Sequence, residues 1–132
     1  MKYLLDTCAW LWLLDSPERL SSAAAAILRD LAVYPVGIAG ISLWEVARKE
    51  SLGKLVLKCS CDAWLRDATT ASGIDCIPLS HRIAWESCHL PGDFHRDPAD
   101  QIIVATARAL DLTLITSDER ILGYAHVRSI QA

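Results

Sequence analysis

The sequence predicts an α/β fold, built on a parallel sheet of about five strands covered by helices on both faces. Three observations support this. Short apolar runs alternate with longer helical patterns, Gly, Pro and cap residues separate them, and acidic residues fall where strands end and helices begin. In open parallel sheets that edge, beyond the carboxyl ends of the strands, is where ligands bind. With 132 residues, 52% of them apolar, the chain is expected to form one domain over residues 1–132 with a real core.

Tyr3, Leu4 and Leu5 make an apolar run that ends at Asp6 and reads as a strand, followed by a helix from about Cys8 to Asp15. Ser16, Pro17 and Glu18 read as the start of a second helix, with Leu20, Ala24, Ile27, Leu28 and Leu31 on one face and an end before Pro35. Val36 to Ala39 reads as a buried strand. Ser42 and Glu45 have the spacing of a capping box and open a helix that Gly53 stops. Trp64, Leu65, Ala68 and Ala71 share a face of a helix from about Cys61 to Ser72, and Gly73 separates it from the strand Ile74 to Ile77. Ser80 is placed to cap a short helix through about Cys88, and Pro91 and Gly92 make the stretch from Leu90 to Arg96 a loop. Asp97 and Pro98 then open an apolar helix to Leu110. The strand Leu112 to Ile115, an acidic turn at Asp118 and a last strand near Val127 to Ile130 complete the chain.

Composition narrows the function classes. A formal net charge of −3 excludes a polycationic surface, so any nucleic-acid contact has to be local. Five cysteines, an odd number, suit reduced thiols and a cytoplasmic location better than a disulfide framework, and neither they nor the four histidines have zinc-site spacing. Lys2 and the apolar run to Leu14 superficially resemble a signal peptide, but Asp6 interrupts that run, and no apolar stretch is long enough to span a membrane.

Asp6, Glu45, Asp100 and Asp118 are the candidate functional residues. Each has an ordinary explanation, since carboxylates cap helices and suit their first turns. Together they are harder to dismiss, because the proposed sheet brings four acids from four segments to one edge. Two like charges about 4 Å apart repel by roughly 4 kcal/mol at an effective dielectric near 20, so such a cluster calls for protons or cations. Oxygen-only donors suit Mg²⁺ or Mn²⁺, which recruit phosphate oxygens as further ligands, and phosphodiester hydrolysis is the chemistry that follows. His95 lies in the loop before Asp97 and reads as structural rather than as a general base.

Several segments, taken in order, resemble one family. They are Leu4-Leu5-Asp6-Thr7, Ser42-Leu43-Trp44-Glu45, Gly53-Lys54-Leu55, His95-Arg96-Asp97-Pro98-Ala99-Asp100 with the Ile102 to Ala107 helix, and Thr116-Ser117-Asp118. They resemble the PIN-domain nucleases, especially the VapC-like toxins, over nearly the whole chain. The resemblance implies a doubly wound three-layer α/β/α fold, a Mg²⁺ or Mn²⁺ site and endonucleolytic cleavage of RNA. Asp6, Glu45, Asp100 and Asp118 match the family acids, with Asp6, Asp100 and Asp118 expected to bind metal. Thr7, Ser42, Asp97 and Thr116 are expected to support them by hydrogen bonds, although turn and cap roles explain the three hydroxyls equally well.

The resemblance also implies partners. RNA is the expected substrate, and Arg48, Lys49, Lys54, Lys58, Arg82 and Arg96 are the cations near the acidic edge, most of them consistent with ordinary solvated surface. Trp10 to Leu14 is apolar on every side, which fits either a fully buried helix or a surface for a small cognate antitoxin, and toxins of this type commonly form homodimers. A dehalogenase-like phosphatase fails because Cys8 stands where its second Asp belongs. A non-catalytic RNA- or protein-binding module and an RNA-processing PIN nuclease without a toxin role are the remaining alternatives.

Overall fold

The computed structural model describes residues 1–132. Five strands, β1 (Tyr3–Leu5), β2 (Val36–Ala39), β3 (Ile74–Ile77), β4 (Thr113–Thr116) and β5 (Ser129–Gln131), form one sheet in the order β3-β2-β1-β4-β5, with every pairing parallel. Seven helices surround it: α1 (Thr7–Asp15), α2 (Ser22–Ile27), α3 (Gly40–Ser51), α4 (Cys61–Thr70), α5 (His81–Ser87), α6 (Pro98–Ala109) and α7 (Glu119–Leu122). The chain winds outward from β1 through β2 to β3, then crosses back to β4 and β5. The direction therefore switches between β1 and β4, where an open α/β sheet leaves its crevice.

Strand alternation sorts the core into two clusters, one on each face of the sheet. Leu5, Ile38 and Ile115 join Trp10, Ala24, Val46, Trp64 and Ala68 on one side. Their chain neighbours Leu4, Ala39 and Leu114 join Ile103, Val104, Ala107 and Ile121 on the other. This is the expected three-layer arrangement. Trp10, wholly buried, meets Trp64 edge-on at 4.9 Å, and the indole N–H of Trp64 reaches Asp15. Much of the apolar α1 is thus covered by the chain's own fold; Arg19 lies 4.5 Å above the Trp12 ring, and Leu11, Leu13 and Leu14 stay half-buried.

Three elements differ from the sequence reading. The helix expected from Ser16 is a 3₁₀ turn (Pro17–Arg19) followed by the separate α2. Ser16 makes no side-chain cap, whereas the Ser21 hydroxyl accepts the Ala24 N–H and donates to the Gln131 carbonyl, restarting the helix beside β5. α3 starts at Gly40 rather than Ser42, so Ser42 and Glu45 do not form a capping box. The turn after β4 also continues into the short α7, capped by Asp118.

Candidate active site

Each acid is placed by its element. Asp6 follows β1 and caps α1, accepting the Ala9 N–H at Oδ1 (2.8 Å), while its Oδ2 accepts the Thr116 hydroxyl at the end of β4. The Thr116 oxygen in turn accepts the Asp118 N–H at 3.0 Å, so one side chain links the two acids across the β1/β4 switch. Asp118 caps α7 through the N–H groups of Arg120 and Ile121. Asp100 lies in the first turn of α6, which Asp97 caps by accepting the Asp100 N–H. Glu45 lies in the second turn of α3, where Thr7 Oγ1 donates to its Oε1 at 2.5 Å and lies 2.9 Å from Ser42 Oγ. With no capping role in α3, Glu45 loses its ordinary explanation.

The four acids line one cleft of about 260 Å³, in which Asp6, Glu45, Asp97, Asp100 and Asp118 face only two cations, Lys49 and Arg120. Asp6 and Thr116 are buried, Glu45 and Asp100 partly so. Burial pushes the Asp6, Glu45 and Asp100 carboxyls above their ordinary range, with neighbouring carboxylates adding to the rise. At Asp118 burial also raises the carboxyl, but hydrogen bonds from the Arg120 side chain and from the backbone of Arg120 and Ile121 outweigh it, and the net shift is downward.

No three Asp, Glu, His or Cys side chains are close enough, as placed, to hold one ion together. Of the two cations in the cleft, Arg120 is the one that touches the acids, its guanidinium 3.1 Å from Asp118 Oδ2 and 3.6 Å from Asp100 Oδ2. His95 Nε2 also reaches Asp100 Oδ2 at 2.7 Å, and its buried Nδ1 has no partner. The donors are carboxylate oxygens, the chemistry that a hard divalent ion takes, and as placed no three of them reach one ion.

Residues 3–127 match the PIN domain family. The chain belongs to the PIN-domain family. Ribonuclease VapC22 of Mycobacterium tuberculosis is 29% identical to it over 127 residues, 96% of this chain and 95% of that protein. Among solved structures, VapBC2 from Rickettsia felis, bound to a DNA fragment from its promoter, matches with a TM-score of 0.71 at 18% identity, covering 99% of this chain and 98% of that one. A toxin–antitoxin complex from Klebsiella pneumoniae matches with a TM-score of 0.64 at 22% identity, covering 99% and 100%. At these identities the two structures establish a shared fold.

In this PIN domain all four sequence-selected acids line the same cleft, and Thr7, Ser42, Asp97 and Thr116 all hydrogen-bond within or beside it. Two contributors lie outside the acids and hydroxyls picked from sequence. His95 reads as a loop histidine, yet it bonds Asp100; its position in the His95-to-Asp100 motif is the available signal. Arg120 lies two residues after Asp118, a spacing with no periodic signature.

Proposed function

We propose that this PIN domain is the toxin of a toxin–antitoxin pair, a Mg²⁺- or Mn²⁺-dependent endoribonuclease that hydrolyses RNA phosphodiester bonds. The observation that carries the reading is the meeting of Asp6, Glu45, Asp100 and Asp118 in one cleft at the β1/β4 switch, lined by more carboxylates than its own cations balance. Likeness to a ribonuclease over nearly the full length supports it.

Asp6, Asp100 and Asp118 would hold the ion, and Glu45 completes the acidic lining. When bound, the ion supplies Lewis-acid stabilisation of the phosphate and activation of water for attack. The rest is done by the chain. Thr116 and the Ala9 N–H fix both oxygens of Asp6, so its carboxylate is held in one orientation with lone pairs left for a ligand. Thr7 holds Glu45 Oε1 and leaves Oε2 to accept a proton or a water hydrogen bond, a role suited to a carboxyl whose pKa burial has raised. His95 orients Asp100 through Oδ2.

The expected setting is the cytoplasm, with RNA as substrate, a small cognate antitoxin that blocks the cleft, and a homodimer in solution. The fold shared with toxin–antitoxin assemblies supports the antitoxin, and no helix is long and apolar enough to cross a membrane. The test incubates partner-free protein with total RNA in Mg²⁺ or Mn²⁺, beside EDTA and an Asp6→Asn variant. Discrete fragments that require metal and disappear in the variant are expected. Intact RNA with wild-type protein shown to bind metal would overturn the nuclease reading.

A further inference from the structure

We propose that the groove beside the acidic cleft seats the single-stranded RNA flanking the scissile phosphate, with an unpaired base stacked on Trp44 and the backbone held by Arg48, Lys49 and Lys54. This rests on the nuclease reading and extends it to the substrate's path. The groove has a volume of about 550 Å³ and shares Glu45, Lys49 and Asp97 with the acidic cleft, so a strand leaving the cleft enters it directly.

Its chemistry is that of a single-strand platform, which combines aromatic faces with cations along the backbone. α3 buries Ser42 and Val46 and turns Trp44 and Arg48, one helical turn apart, toward solvent. Trp44 is 54% exposed, with the Arg48 guanidinium 5.4 Å from its ring centroid. Of the five tryptophans, Trp44 is the one that lines the groove. Trp10 and Trp64 pack on each other, Trp12 lies under Arg19, and Trp85 is stacked on His89 at 4.0 Å. Gly53, with φ +71°, turns the chain so that the Lys54 N–H bonds the Lys49 carbonyl, which returns a third cation to the end of α3.

Charge selects the occupant. None of Arg48, Lys49 and Lys54 is in a salt bridge, so three unpaired cations collect beside the acids of a chain whose net charge is −3. Exposed Leu52 would also suit a protein partner, but an apolar partner would have to desolvate all three cations, whereas a polyanion pairs with them.

The experiment measures binding of a fluorescein-labelled, mixed-sequence RNA 12-mer by anisotropy in Mg²⁺ at low salt, using the Asp6→Asn protein so that the probe survives. In that background Trp44→Ala is expected to weaken binding roughly tenfold or more. Trp44→Phe should retain most of the affinity and Trp85→Ala should leave it unchanged. Arg48→Ala with Lys54→Ala should make the slope of log K against log salt shallower by about 1.4, the value for two phosphate contacts on a single strand. Circular dichroism checks that each variant folds. If the parent binds RNA and neither groove variant alters affinity or salt dependence, the groove is not the RNA seat, although wild-type cleavage would still uphold the nuclease. If Trp44→Ala changes the oligomeric mass but not RNA affinity, the face belongs to a protein contact and the proposal falls. A parent that binds no RNA overturns it as well, and wild-type cleavage then decides the nuclease reading separately.

Discussion

Arg120 is the cation that touches the acidic cluster. Its guanidinium contacts Asp118 and lies near Asp100, and its side chain is 60% exposed, so solvent screens the pair with Asp118 and its contribution to stability is small. A divalent ion bringing twice the charge to the same carboxylates has to displace or outcompete it. Arg120→Ala is therefore expected to tighten Mn²⁺ binding about two- to tenfold by calorimetry, with little change in stability. Weaker Mn²⁺ binding in the variant would show that Arg120 supports the ion instead of competing with it. The contrast with Asp6 shows what was legible at this scale. Asp6 stands between an apolar strand and a helix, so its position follows from local pattern, as do those of Asp100 and Asp118. Arg120 reaches its partners through a long flexible side chain, and His95 through a loop, and no periodicity records such reach.

Among the connections, two glycines with the same backbone hand do different work. Gly73 joins α4 to β3 at φ +80°, and a Cβ there would lie 2.2 Å from the Leu31 carbonyl oxygen, a contact with backbone that cannot rotate away. Gly53 has φ +71° and nothing within 4 Å of the same position. Gly53→Ala should cost about 1 kcal/mol from the left-handed conformation alone, and Gly73→Ala about 3 kcal/mol or more, since strain and overpacking add. Urea unfolding of both variants checks this. Equal losses would mean that the Leu31 contact relaxes freely. Both glycines were readable as helix stops because that role is local. The split of α2 from its 3₁₀ turn was not, since Ser21 prevails over Ser16 through a hydrogen bond to Gln131, 110 residues away. α7 is only four residues long and too short to show a helical period.

Over the whole molecule, alternation of strands and helices made a parallel sheet legible, but not the strand order, which depends on long-range pairing. That order puts β1 beside β4 and so collects the acids at a cost in stability. Asp6, Glu45 and Asp100 have raised carboxyls, chiefly through burial. The native state therefore binds more protons than the unfolded chain between the ordinary carboxyl range and the raised values. For these groups the unfolding free energy falls as pH rises through that window and stays low above it. Asp118 acts in the opposite sense, its lowered carboxyl contributing stability above the ordinary range that is lost as pH falls. A divalent ion that binds the ionised acids of the folded state only would add about 2.7 kcal/mol at about 100 times its Kd, roughly 10 °C in Tm. Protons compete for the same oxygens, so Mn²⁺ should raise Tm more at pH 8 than at pH 5.5 relative to EDTA, and Asp6→Asn should shrink the rise at pH 8. Thermal melts at both pH values decide it: an equal Mn²⁺ shift at the two, unchanged in Asp6→Asn, would mean that the ion binds outside the acidic cleft.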